Sequence, residues 1–296
     1  MCGDIIFFGH RPYGIMVMKY LLDKGYRIPC VFVPPVATQE TINEVKELLP
    51  EAEVFEGGGL SGTEMARIIK KYEYRGMLST FYQGILSEEV INLGVVNIHG
   101  AILPEWRGAG TLNWAIIKGS TKGGITIHYM DETIDSGDII DIIEYPINYE
   151  DDVKIIQQRM FEKTIELLDR CWEPLLNGQI EPKKQDHSLA RYYRARTTED
   201  NHVRWSDNAF EIRNLIRGLV EPFPGAFCYL EGEKVIIDKA DVEIDNKVHF
   251  KAGKVLSVGD GAICRVTTGF NILIIEKIRN GEVLKKVAPK EGDCFE

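Results

Sequence analysis

DIIFFGHRPYGIMVMKYLLDKGYRIPCVFV, residues 4–33, decides the architecture. Asp4 to Phe8 is a short apolar run that stops at Gly9, the pattern of a parallel strand covered on both faces. Tyr13 to Leu22 spaces its apolar residues helically and closes at Gly25. Ile28 to Val33 reads as a second strand. Pro29 sits near its start, and Pro34-Pro35 ends it because proline has no N–H for a ladder. The alternation continues with a helical spacing over Thr41–Leu49, a strand over Ala52–Phe55, a helix over Leu60–Tyr72, and strands over Gly76–Tyr82 and Val95–His99. Strands alternating with helices predict an α/β fold with a doubly wound, mostly parallel sheet. Ligands of such sheets bind beyond the carboxyl ends of the strands. Gly9, Tyr82 and His99 therefore belong to one crevice.

Beyond Gly124 the pattern changes. Ile125 to Tyr129 alternates, and Ile139 to Ile147 is positioned to pair with it as an antiparallel neighbour. Val153 to Trp172 is a long amphipathic helix that Pro174 and Asn177-Gly178 bring to an end. Residues 186–204 are polar and weakly periodic, and read as a linker after a catalytic domain of residues 1–185. Residues 205–296 hold one helical stretch, Asp207 to Leu219. Short strands follow over Ala226–Leu230, Lys234–Ile237, Gly253–Val258, Ala262–Val266 and Asn271–Lys277, as in a smaller C-terminal β-barrel of the OB type.

The 296 residues carry a net charge of −10, with 44% hydrophobic and 27% charged residues, a composition ordinary for a globular protein. Residues 201–296 hold 14 Lys and Arg against 15 Asp and Glu, so no basic domain is present to grip a nucleic-acid backbone. No apolar run is long enough to span a bilayer. The start, Met1-Cys2-Gly3-Asp4, has no leader pattern. The six cysteines form no CxxC pair and fit neither a zinc site nor a disulfide framework. The expectation is a cytoplasmic protein with reduced thiols.

The chemistry lies in VVNIHGAILPEWRGAGTLNWAIIKGSTKGGITIHYMDETIDSG, residues 95–137. Asn97 and His99 end one strand, and Asp135 follows another. An imidazole takes and returns a proton near neutral pH. A carboxylate beside it favours its charged form, and a carboxamide can donate to a developing oxyanion. Turn-making and a hydrogen-bonded interior histidine are the bland alternatives. A zinc reading of His99, His128 and Asp135 lacks HxxxH or HExxH spacing, so no metal is expected. Gly9-His10-Arg11-Pro12-Tyr13-Gly14 lacks both GxGxxG and GKS/T. It is either a plain turn or a loop that places His10, Arg11 and Tyr13 beside a substrate. Arg107, next to Gly108, is suited to an anionic group or to solvent. Trp106 and Trp114 suit stacking or core packing.

Asn97-x-His99, Leu103-Pro104-x-x-Arg107-Gly108 and Asp135-Ser136-Gly137-Asp138 together resemble the folate-dependent formyltransferases. Arg217 to Ala226 (RGLVEPFPGA) is similar to the opening of that family's C-terminal barrel. The resemblance covers nearly the whole chain and implies a Rossmann-like catalytic domain that transfers a formyl group from 10-formyltetrahydrofolate to an amine. It implies His99 as the proton-transfer residue, Asn97 as the oxyanion donor and Asp135 as the partner of His99. The folate would lie along Tyr82, Gly84, Ile85 and Leu86, along Ala101, Ile102, Leu103 and Pro104, and along Asp131, Glu132, Thr133 and Ile134. His10, Arg11, Tyr13, Arg107 and Gly108 would face the acceptor. Ala101-Ile102 departs from the family's frequent Ser-Leu and removes a hydroxyl.

Three acceptor readings follow. Asn113-Trp114 and the Pro-Gly-Ala barrel entry look most like the branch acting on nucleotide-linked amino sugars, for a surface polysaccharide such as the O-antigen of lipopolysaccharide. Methionyl-tRNA is the second reading; it would call for basic surfaces that the charge pattern lacks. A catalytically silent binding module of the same fold is the third. An exposed face of the barrel leaves a homodimer open.

Overall fold

The computed structural model describes residues 3–10, 12–259, 262–285 and 287–296. In chain order the elements are β1 (Asp4–Gly9), α1 (Tyr13–Asp23), β2 (Arg27–Val33), α2 (Gln39–Leu48), β3 (Glu53–Glu56), α3 (Gly62–Ile69), β4 (Gly76–Thr80), α4 (Glu88–Ile91) and β5 (Val95–His99). Then come β6 (Arg107–Gly108), α5 (Thr111–Ile117), β7 (Lys122–Tyr129), β8 (Ile139–Pro146), α6 (Val153–Leu176), β9 (Tyr192–Tyr193) and α7 (Ala209–Arg217). The chain ends with β10 (Ala226–Leu230), β11 (Glu233–Val248), β12 (Val255–Gly259), β13 (Ala262–Thr267) and β14 (Phe270–Ile278). Two compact units result. The first comprises residues 1–108, 123–145 and 158–192; the second comprises 109–122, 146–157 and 193–296.

In the first unit a seven-stranded sheet runs in the order β3-β2-β1-β4-β5-β7-β8. The β1–β2, β2–β3, β1–β4 and β4–β5 pairs are parallel, and β5–β7 is antiparallel. Ile5, Ile6, Phe7 and Phe8 are all fully buried, which is why β1 is an unbroken apolar run rather than an alternating one. One face of the sheet packs Ile6, Phe8, Cys30, Phe32 and Met77 with Met65 and Ile69 of α3. Ser61 and Glu64 close a capping box at the start of α3, so its first free N–H groups have partners. The order reverses between β1 and β4. There Gly9, at φ +151°, lets the strands close together: a Cβ would stand 2.7 Å from the Thr80 carbonyl oxygen.

In the second unit a five-stranded sheet runs in the order β10-β11-β14-β13-β12, all of its pairs antiparallel. Asn208 and Glu211 form the capping box of α7, whose Ala209, Ile212 and Ile216 join Leu230, Val235, Ile237, Leu273 and Ile275 in one core. The longest departure from the sequence reading is β11. It continues past Ile237 to Val248, with breaks of register against β14. Single apolar residues at 240, 242 and 244 alternate with charges there, and bulges on either side interrupt the pairing with β14. Likewise, α6 passes through Pro174 and ends at Leu176, two residues before Gly178 at φ +68°. So near the C-terminus, proline removes little of the helix's own ladder. The helix α5 was not expected from the sequence. It is only seven residues long and is preceded by Gly110 in the left-handed region.

Candidate active site

The site grows from a cross-strand register in the first unit. On β5 the side chains of Asn97 and His99 share a face because they are two residues apart. On β7 Thr126 and His128 do the same. In the antiparallel β5–β7 pair Asn97 lies opposite His128, and His99 lies opposite Thr126. Four polar side chains thus occupy one face of two otherwise apolar strands. Thr126 accepts from the Leu103 backbone N–H at 3.1 Å and donates to the Ala101 carbonyl at 2.7 Å, which holds the turn after β5 against β7.

His128 is almost fully buried, at 1% exposure, and its Nδ1 donates to the Tyr129 carbonyl at 2.7 Å. Burial pushes its pKa down to about 4, with the charges of His99 and Arg107 acting the same way and Asp135 opposing. The neutral ring leaves Nε2 as an acceptor, and the Asn97 amide Nδ2 donates to it at 3.2 Å. His99 is 8% exposed. Its Nε2 donates to the Trp106 carbonyl at 2.6 Å, and its Nδ1 faces Asp135 Oδ2 at 3.6 Å. That separation is ion-pair distance and longer than a direct hydrogen bond. The other oxygen of Asp135 stands 3.7 Å from His128 Nε2. Oδ2 also accepts from the Gly108 N–H at 2.8 Å.

The carboxylate is delivered by a tight loop. Asp135 has φ +53°, in the left-handed region. Ser136 donates through its hydroxyl to the Thr133 carbonyl at 2.8 Å. A Cβ on Gly137 would stand 2.0 Å from the Tyr129 carbonyl oxygen, so only glycine lets the loop lie against β7. Asn97, His99, His128 and Asp135 therefore form one enclosed polar cluster beside the carboxyl end of β5. Such a cluster can hold an oxyanion on an amide N–H and move a proton along an imidazole–carboxylate pair.

The chain matches the formyl transferase sequence model over residues 34–171 and the model of the formyl transferase C-terminal domain over residues 196–287. A methionyl-tRNA formyltransferase of Alkaliphilus oremlandii is 32% identical over 285 residues, covering 93% of this chain and 91% of that protein. The chain belongs to the formyl transferase family. Two solved structures share the fold of this formyl transferase. An N-formyltransferase from Helicobacter canadensis, in complex with folinic acid and dTDP-3-aminofucose, superposes with a TM-score of 0.70 at 18% identity, covering 93% of this chain and 98% of that one. HypX from Aquifex aeolicus, in complex with tetrahydrofolic acid, gives a TM-score of 0.64 at 20% identity; 98% of this chain spans 49% of the HypX chain.

The remaining residues singled out from the sequence of the formyl transferase are dispersed along the first unit. Tyr82 is half-buried, edge-on to Phe8 at 5.8 Å, and burial raises its phenol pKa. Gly84 lies against the Tyr82 ring, Ile85 is fully exposed at 97%, and Leu86 is buried. Ala101 and Leu103 are buried, and Ile102 and Pro104 are half-buried. Asp131, Glu132, Thr133 and Ile134 are exposed. Tyr13 is buried, stacked on Phe81 at 4.1 Å and tilted on Phe161 at 4.3 Å. His10 is half-buried, and Arg11 lies outside the described residues. Arg107 is 1% exposed, its guanidinium enclosed by Gln185, His187 and Tyr192. Among the described residues no three His, Cys, Asp or Glu side chains are arranged to hold a metal, and no helix is long and apolar enough to cross a membrane. Sequence reasoning missed the role of His128 beside Asn97 and missed Gln185 altogether. Thr126-x-His128 repeats the spacing of Asn97-x-His99 on the neighbouring strand, which is the signal for the first. Gln185 had none.

Proposed function

We propose that this formyl transferase moves a formyl group from 10-formyltetrahydrofolate to the amine of a nucleotide-linked amino sugar. The observation that carries the chemistry is the convergence of Asn97, His99 and Asp135 in one enclosed cluster. Asn97 gives one amide N–H to His128 and keeps the other for the developing oxyanion. His99 has Nε2 committed to the Trp106 carbonyl, so the proton leaving the attacking amine passes at Nδ1, where Asp135 stabilises the imidazolium, and goes on to the folate nitrogen as its bond to the formyl carbon breaks. Holding both reactants at this cluster removes much of the entropic cost of their encounter. The folate donor is assigned to residues 82–86, 101–104 and 131–134, where Ile85 and Ile134, at 97% and 61% exposure, offer apolar surface to a flat ring. His10 and Arg11 are assigned to the acceptor. We also assign catalysis to residues 1–185, a linker to 186–204 and the smaller domain to 205–296.

For the acceptor, the support is the net charge of −10 and the absence of a basic block in residues 201–296. The Helicobacter canadensis enzyme, crystallised with a nucleotide-linked aminofucose, offers a parallel. A cytoplasmic site of action and a homodimer accompany this reading. The methionyl-tRNA relative, at 32% identity, favours a second reading in which the amine is that of an aminoacylated tRNA. Incubation with 10-formyltetrahydrofolate and a panel of dTDP-, UDP- and GDP-linked amino sugars, read by mass, tests the proposal. A formylated sugar is expected. Formylated methionyl-tRNA with unmodified sugars would overturn the sugar assignment.

A further inference from the structure

Arg107 is a buried cation whose side chain bonds to an amide oxygen, a phenol and an imidazole. Its Nε and Nη2 donate to Gln185 Oε1 at 3.1 and 2.6 Å, its Nη1 donates to the Tyr192 hydroxyl at 2.8 Å, and its Nη2 lies 3.1 Å from His187 Nδ1. Gln185 is 6% exposed and uses its full hydrogen-bonding capacity. Its oxygen takes two N–H groups of Arg107, and its Nε2 donates to the backbone carbonyls of Asp135 at 2.9 Å and Gly137 at 2.7 Å. The circuit closes on itself. The Asp135 carboxylate accepts from the N–H of Gly108, the residue after Arg107. Asp135 is held at φ +53°, in the left-handed region, which Asp adopts more readily than most residues with a side chain.

We infer that Gln185, braced by Arg107, is the positioning residue that sets the Asp135 loop so that its carboxylate faces His99. The inference rests on the reading of His99 and Asp135 as the proton-transfer pair. Arg107 suits the task because its planar fork gives two parallel N–H groups to one oxygen, which a lysine ammonium does not. The arrangement gives Arg107 a task inside the protein rather than at the substrate.

Gln185→Glu separates the two halves of the clasp. A carboxylate still accepts from Arg107 but has no N–H for the loop carbonyls. In that variant, amide hydrogen exchange of Gly108 is expected to speed up by roughly 10-fold, the scale of one lost hydrogen bond, while the amides of β1 stay as they were. Unchanged exchange at Gly108 would overturn the inference, as would equal acceleration throughout β1. Turnover is expected to fall by roughly 10- to 100-fold, the scale of a misplaced catalytic group, with KM for both substrates nearly unchanged. The same substitution in an Asp135→Asn background is expected to add less than about 2-fold, because residues acting as one unit are not additive; fully additive losses would overturn the inference. The unmodified protein supplies a measurement that needs no variant. The two Gln185 side-chain amide protons are expected to exchange slowly as distinct signals, and a freely exchanging amide would refute the clasp. An unmodified protein without formyl-transfer turnover would count against the proposed function, while the exchange measurements would still decide the clasp.

Discussion

The buried, neutral ring of His128 makes the protein sensitive to acid. In the unfolded chain its imidazole takes a proton near the ordinary 6.5; in the folded protein burial withholds the proton until about pH 4. A folded pKa below the unfolded one means that the unfolded state binds more protons throughout this window, so stability falls as pH drops from about 6.5 to about 4. A tenfold loss of proton affinity corresponds to about 1.4 kcal/mol, and His128 is fully buried, so the whole window is worth roughly 3 kcal/mol. At about pH 4.5 most of it is gone. The assay has two parts. Proton–carbon NMR of histidine-labelled protein, with the His128 signal assigned by its loss in His128→Gln, is expected to show a neutral ring down to about pH 5. Urea unfolding at about pH 7.5 and about pH 4.5 is then expected to cost the unmodified protein roughly 2–3 kcal/mol more than His128→Gln. The functional corollary is that protonation converts Nε2 from an acceptor into a donor facing the Asn97 N–H, which releases Asn97 from its orientation. Titration of His128 near the ordinary 6.5 in the folded protein, or equal pH sensitivity of the two proteins, would refute the neutral-acceptor argument.

Two further predictions concern separate parts of the molecule. Asn97→Ala is expected to lower kcat by roughly 100- to 1,000-fold, the scale of losing one preformed oxyanion donor, the role proposed for it; single-turnover rates with saturating donor check this. Asn208→Ala, which removes the capping side chain that accepts from the Phe210 N–H at 3.0 Å, is expected to cost about 1 kcal/mol of stability, read by urea unfolding at neutral pH.

The first unit was legible because β1 and β2 are largely apolar runs bounded by glycine or proline, and β5 is a short run between Gly94 and Gly100. Asn97 and His99 were legible because two polar residues on one face of an apolar strand need a reason to be there. Asp135 was legible from its turn. What could not be read was the register. Nothing in the sequence says that β7 runs antiparallel beside β5 with His128 opposite Asn97, yet that pairing orients the Asn97 amide. Gln185 lay at the border of the polar, weakly periodic residues 186–204, 50 residues beyond the Asp135 it holds. A contact over that distance leaves no local pattern. Arg107 read as a surface or substrate-facing cation because long charged side chains are rarely enclosed; its burial depends on Gln185, His187 and Tyr192. The extension of β11 to Val248 escaped for another reason, since charges outnumber apolar residues there.

Above all, the proposed function assigns the movement of the proton to His99, beside Asp135. The turnover of His99→Ala with 10-formyltetrahydrofolate, and with the acceptor amine found for the unmodified protein, tests this most directly. A fall of at least about 100-fold in kcat is predicted, with folate binding retained; turnover near that of the unmodified protein would contradict it.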